Sequence, residues 1–249
     1  MITIGVLAFA GRTLVVGPPP LWLALAVLIA YLAIVSIAVT QLRLRVFVDA
    51  MIRGPAKARG VVLTFDDGPD PASTPKILEI LDEAGARATF FLIGRKVAKH
   101  PDVAKMIVER GHTIGLHSHA HDRLMSLRLA NTWRRDLRRG LRAIESATGN
   151  GTKLFRPPIG HTNPQAPRVL AELGLKTIGW TISARDGVSA DHEAVAHRVI
   201  SQLHDGAIIL LHDAAELGDH EPASVIALPK ILDAIKDRQL TIVPLTDWL

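Results

Sequence analysis

The sequence predicts an α/β domain built on a largely parallel sheet or barrel, carried behind an apolar segment that spans a membrane. Three observations lead there. From about residue 60 onward, short β-branched or aromatic runs alternate with helix-like stretches, the pattern of parallel strands joined by crossover helices. Acidic and His-rich clusters directly follow those apolar runs, where strands of such folds give way to loops and chemistry gathers. Before residue 60 the composition changes, and residues 21–40 carry no charge. With 249 residues and 48% hydrophobic content the chain can bury one sizeable core and still carry an appendage.

In chain order, the apolar segment comes first. Residues 21–40, LWLALAVLIAYLAIVSIAVT, match the length of one helix crossing a hydrocarbon layer of about 30 Å. A cleaved signal would have a basic start, a shorter apolar stretch and a small-residue cleavage site; this run ends instead in the basic QLRLR. An uncleaved anchor is therefore expected. The shorter stretch within residues 1–16, MITIGVLAFAG, precedes Arg12 and a GPPP break, so a two-span hairpin is the alternative. The expected division is an anchor with a basic linker over 1–58 and the α/β domain over 59–249.

Strands are expected at residues 61–65, 88–92, 113–116, 176–182, 207–211 and 240–245, and helices at stretches such as 74–83 and 223–236. The first strand leads into TFDDGPD. Adjacent carboxylates repel, so Asp66 and Asp67 need a cation, a shared proton or solvent between them, and they can share a site only where the strand breaks, at Gly68 and Pro69. A solvated acidic turn is the plain alternative. TIGLHSHAHD runs a short strand into His117, His119 and His121; on a helical turn the first and last would face the same way and could share a metal. Adding an Asp from another strand end makes a His2Asp set with open positions, the form of a catalytic rather than a structural metal site.

KLFRPPIGHTN ends a further strand. Pro157 and Pro158 stiffen the loop and leave the amides of Ile159 and Gly160 to point at a ligand, while Arg156 is a natural partner for Asp66. GAIILLHDA delivers Leu210, His212 and Asp213 to another strand end. The chain has no cysteine, so disulfides and thiolate ligands are excluded. A formal net charge of +5 suits anionic lipid, whereas one Tyr, four Trp and six Phe argue against a base-stacking surface.

TFDDGP, HSHAH, RPPIG and LLH, in this order, resemble the motifs of the polysaccharide deacetylases, a carbohydrate esterase family that includes chitin and peptidoglycan N-deacetylases. The resemblance covers about residues 60 to 245. It implies a distorted (β/α) barrel of about seven parallel strands that hydrolyses N-acetyl groups on amino sugars. Carried across, it implies Asp67, His117 and His121 as ligands of one divalent metal, expected as Zn²⁺, with Asp66 as base and His212 as acid. Ile159 would supply an oxyanion amide, Arg156 and Asp186 would support Asp66 and His212, and Leu210, Pro157 and Pro158 would form the substrate pocket. One region departs: where the family commonly shows WSVD..DW, this chain has WTISARDG, with Ser183 for an Asp and Gly187 for the Trp. That change opens one wall of the acyl pocket, unless Trp180 or Trp248 fills it.

The implied partner is an N-acetylated glycan at the membrane, with a lipid-linked amino sugar as the alternative substrate and an inactive carbohydrate-binding domain as the non-enzyme alternative; nucleic acid is not expected. A phosphatase reading of FDDG lacks the D-x-D spacing. In RLANTWRRDLRRGLRAIE, Arg128, Arg135, Arg139 and Arg142 fall on one helical face beside Arg134 and Arg138, either a solvated surface or a contact for anionic headgroups. On the membrane side, two arguments oppose each other. The family works mainly on external polymer, yet Arg43, Arg45, Arg53, Lys57 and Arg59 follow the span, and such an excess marks the cytoplasmic flank. The extracytoplasmic placement is the favoured expectation.

Overall fold

The computed structural model describes residues 11, 17, 19–215 and 221–249. The expected second span at residues 1–16, with Arg12, lies outside the described residues apart from Gly11. The apolar run forms helix α1 (Leu21–Thr40), with a mean hydropathy of 2.6 and no residue buried against the rest of the chain. It is long and apolar enough to cross a bilayer.

Eight parallel strands follow: β1 (Ala50–Met51), β2 (Val61–Asp66), β3 (Thr89–Leu92), β4 (Thr113–Leu116), β5 (Leu154–Phe155), β6 (Lys176–Ile178), β7 (Ile182–Ser183) and β8 (Ala207–His212). They are ordered β1-β6-β5-β4-β3-β2-β8-β7. Central strand β2 is buried at every residue, as expected where helices cover one face and side chains fill the other. Helices α2 (Thr74–Glu83), α3 (Gly94–Lys99), α4 (Pro101–Glu109), α5 (Ala130–Thr148), α6 (Ala166–Glu172), α7 (His192–Ile200) and α8 (Ala223–Asp237) accompany the sheet. Each amphipathic helix turns one stripe inward: α2 buries Ile77, Leu78 and Leu81, and α5 buries Trp133, Leu137, Gly140 and Ile144.

Three expectations change. The strand expected over 176–182 is two strands, β6 beside the edge strand β1 and β7 at the opposite edge of the sheet. Gly179 N donates to Met51 O (2.8 Å), whereas Thr181 N donates to Ile208 O (2.8 Å), so the chain changes partners between them. Three linking residues reach only about 10–14 Å, so the sheet must curl until its ends nearly meet, which gives the barrel-like shape. The strand expected over 240–245 is a single bridge, Val61 to Ile242, because Pro244 has no amide to continue a ladder and a 3₁₀ turn (Leu245–Trp248) follows. The expected linker is also partly built into the domain: Leu42, Val48 and Ala50 are buried, and β1 pairs with β6. Apolar side chains alternating with charges in this segment let it line the sheet edge.

Candidate metal and catalytic centre

The two aspartates end β2. Asp66 pairs in register with His212 of β8, so two chemistry-bearing residues begin side by side on neighbouring strands. The break comes at Asp67 itself, whose φ of 74° turns the chain sharply, and lets consecutive carboxylates face one site. Behind them Gly68 lies against Asp213: a Cβ there would sit 2.0 Å from Asp213 Oδ2. That oxygen accepts a hydrogen bond from Thr74 Oγ1 (2.6 Å), at the start of α2. Burial pushes the Asp213 carboxyl up to about 7 against the opposing hydrogen bond from Thr74. Gly68→Ala is expected to destabilise the fold by about 1–3 kcal/mol or more, since the clash is with a fixed, buried group; urea unfolding with an unchanged midpoint would disprove this.

His117 and His121 do not sit on a helical turn. They occupy an irregular loop after β4, with left-handed residues at Ser118 (φ 61°) and His121 (φ 51°). The fold is achieved by Ser118 Oγ, which accepts from His121 N at 2.9 Å. The sequence spacing still brings the rings together, centroids 5.0 Å apart, while His119 turns away and packs against Gly94. Asp67 Oδ1 lies 3.4 Å from His117 Nε2 and 3.2 Å from His121 Nε2. Asp67, His117 and His121 each bring one ligand atom within 4.8 Å of the others.

The donor set fits a metal. Nδ1–H of His117 donates to the carbonyl of Arg156 at 2.8 Å, which leaves Nε2 with its lone pair toward Asp67. Burial pushes both imidazoles down to about 3, helped at His117 by the Arg156 cation and at His121 by His117. They are neutral at ordinary pH. A carboxylate and neutral imidazole nitrogen therefore converge on one point, the arrangement that a divalent cation satisfies.

Around this point stand two further titratable groups, Asp66 and His212. Asp66 Oδ1 accepts from Arg156 Nη1 at 2.7 Å. The guanidinium is fully buried and also donates to Thr64 Oγ1 (2.8 Å), Gly179 O (2.9 Å) and Ile178 O (3.2 Å). Burial raises the Asp66 pKa and Arg156 opposes the rise, so the carboxylate is held in place and left basic. On the other side, His212 Nδ1–H donates to Asp186 Oδ1 at 2.8 Å, and Asp186 Oδ2 accepts from His212 N at 2.7 Å. Burial alone would depress His212, but the Asp186 carboxylate outweighs it and, with Asp67 and Asp66, pushes the imidazole up to about 10. His212 is thus protonated at neutral pH. Asp186→Asn removes the charge that stabilises the imidazolium, so His212 loses its proton at lower pH; the alkaline limb of the kcat/KM profile should move acidwards. An unmoved limb would show that His212 is not the titrating acid.

A cavity of ≈ 100 Å³ opens between Asp66, Asp67, His117, His121 and His212. Its remaining walls are Ile159, Gly160, Trp180 and Leu210. Pro157 and Pro158, expected in the pocket, are buried and do not line it, and the Gly160 amide, expected to face a ligand, donates to Pro157 O at 2.9 Å. Ile159, at φ 49°, carries the loop past the cavity. Of the two tryptophans weighed as a replacement wall, Trp180 lies over Gly160, where a Cβ would come within 2.7 Å of its ring, and Trp248 packs elsewhere, against Gly54. Gly187 faces His212 directly, with its Cβ position 3.2 Å from Cε1 and Nε2. Asp213, which the sequence places at a strand end, braces the turn after Asp67, and Thr64, which accepts from Arg156, carries no distinctive sequence signal.

A family model described as "Polysaccharide deacetylase" matches residues 53–178, just over half of the chain. The chain belongs to the polysaccharide deacetylase family. A peptidoglycan-N-acetylglucosamine deacetylase of Bacillus cereus is 34% identical over 187 residues, covering 74% of this polysaccharide deacetylase family member and 66% of the relative, just under two thirds of its length. The solved Bc1960 peptidoglycan N-acetylglucosamine deacetylase superposes with a TM-score of 0.74 at 32% identity, covering 80% of this chain and 92% of that one. A pseudoenzyme of carbohydrate esterase family 4 from Bacillus anthracis is also similar, with a TM-score of 0.73, 28% identity and coverage of 80% and 68%. Polysaccharide deacetylases thus include inactive members, and activity has to be argued from the site.

Proposed function

We propose that this chain is a membrane-anchored, metal-dependent N-deacetylase that removes acetyl groups from amino sugars of a cell-wall glycan or related polysaccharide. The observation carrying this reading is the convergence of neutral His117 and His121 with Asp67, beside a base held by Arg156 and an acid charged by Asp186. The similarity to peptidoglycan deacetylases supports the substrate class. An inactive, purely binding role fits less well, because the groups required for hydrolysis are present together.

Asp67, His117 and His121 would hold the metal, which as Zn²⁺ would supply Lewis acidity toward the attacking water and the acetyl oxygen. Asp66 takes the proton from that water as its oxygen bonds to the amide carbon. The Ile159 amide donates to the developing oxyanion. His212 then hands its Nε2 proton to the sugar nitrogen as the carbon–nitrogen bond breaks, leaving acetate and the free amine. Without that proton the amine would be a very poor leaving group. Trp180 and Leu210 wall the acetyl methyl. Trp180→Ala is therefore expected to raise turnover of propionyl relative to acetyl amides; an unchanged ratio would remove Trp180 from the acyl wall.

Helix α1 supports membrane attachment, and the cell-wall substrates named for relatives favour an extracytoplasmic domain. A lipid-linked amino sugar is the second reading, favoured by the position of the root of α1 beside the site. Acetate release from a panel of N-acetylated oligosaccharides, with and without chelator, tests the activity. No release from any member with metal restored would overturn it.

A further inference from the structure

Helix α1 is not tethered loosely. Thr162 N donates to Val39 O at 3.1 Å, Arg43 donates to Thr181 O at 2.6 Å, and Leu42 is 6% exposed, with its side chain against Gly179. Thr162 follows β5 and Gly179 follows β6, so both lie beyond the C-terminal ends of parallel strands, while Thr181 leads from there into β7. That is also the face on which Asp66, His117 and His212 gather. A cavity of ≈ 360 Å³ separates Thr40, Gln41 and Arg43 from Gly160 and Trp180, the last two being walls of the catalytic cavity.

On the far side of Thr162, the Asn163 amide donates to Ser126 O (2.9 Å) and Arg128 O (3.0 Å). It thereby ties the root of α1 to the segment that follows His121. Buried Met125 and the bond from Trp133 Nε1 to Met125 O (2.7 Å) fix that segment. What it presents outward is apolar: Leu124 is 55% exposed, Leu127 74% and Leu129 74%. Val188, on the rim near Gly187, is 85% exposed. Starting at this rim, α5 exposes Arg135 about 8 Å along its axis and Arg138, Arg139 and Arg142 about 12–18 Å along it. Aliphatic side chains flanked by arginines are the makeup of segments that settle into an anionic lipid surface.

We infer that the catalytic mouth docks on the bilayer that α1 crosses, with Leu124, Leu127 and Leu129 in the interfacial layer and the arginines toward anionic headgroups. This deepens the proposed function, because it rests on the membrane-anchor reading and brings substrate to the site at the membrane surface. The docking itself does not depend on turnover. Sugars carried on lipid, or glycan lying against the membrane, reach such a mouth; distant polymer does not.

The chain has no cysteine, so single-cysteine probes report cleanly. Leu127→Cys and Leu129→Cys are labelled with an environment-sensitive fluorophore in the full chain, reconstituted in phosphatidylcholine vesicles containing phosphatidylglycerol and a lipid with a shallow nitroxide quencher. Ile37→Cys, near the end of α1, marks the interface. Gly151→Cys, before β5 on the opposite face and with nothing within 4 Å of its Cβ position, marks solvent. Quenching at 127 and 129 should match that at 37, leave 151 untouched, and weaken when phosphatidylglycerol is omitted. Labels at 127 and 129 behaving like 151 would overturn the docking, as would an unquenched label at 37. Quenching indifferent to phosphatidylglycerol would overturn the headgroup assignment. Acetate release from a soluble oligosaccharide decides the deacetylase reading separately.

Discussion

His117→Ala and His121→Ala are each expected to lose the bound divalent metal and all measurable deacetylation. Three lone-pair atoms within 4.8 Å of one another form the set, and two ligands hold a divalent ion far more weakly than three. The geometry makes the two losses unequal in origin. His117 is held by its own bond to Arg156 O, so its removal also loosens the loop beneath Arg156. His121 depends on the local bond to Ser118, so its removal should leave the rest of the site intact. Metal content of the purified variants and acetate release measure both. A His117→Ala, His121→Ala double variant that keeps a full equivalent of metal would dismiss the assignment.

Asp66→Asn is expected to retain metal while turnover falls by roughly 10²-fold or more, the scale of a positioned proton-transfer group. The amide oxygen can still accept from Arg156, but it cannot take a proton from water. Stability should fall as well. Arg156 is completely buried, and removing the charge that compensates a buried cation costs about 3–5 kcal/mol where no other anion steps in. Here Thr64 and two carbonyls also receive the guanidinium, which places the cost toward the lower end. Near-normal turnover in Asp66→Asn would remove Asp66 from the role of base. Normal turnover in His212→Ala would do the same for the acid.

Much of this arrangement is legible in the sequence. The alternation of strands and helices, the clusters at strand ends and the pairing of Asp66 with Arg156 follow from local patterns, because charged side chains beside apolar runs have few places to go. The irregularities were harder. Nothing in HSHAH distinguishes a helical turn from the left-handed loop found, since both bring His117 and His121 to one side. The division of 176–182 into two strands depends on where Met51 and Ile208 lie, which is tertiary information. Asp213 and Gly68 are held together by contacts across the sheet. The second span considered for residues 1–16 lies outside the described residues.

Arg156 serves two neighbours by different means: its carbonyl fixes the ring of His117, and its guanidinium fixes the carboxylate of Asp66. The imidazole of His117 and the carboxylate of Asp66 therefore hang from a single hinge point on the chain, immediately before two prolines. A shift of that loop tilts both at once. Substitutions at Pro157 or Pro158 that move the loop should produce faults that combine non-additively with those at His117 and Asp66, whereas a lineage that replaces this arginine keeps the carbonyl that holds His117 and has to find another donor only for Asp66.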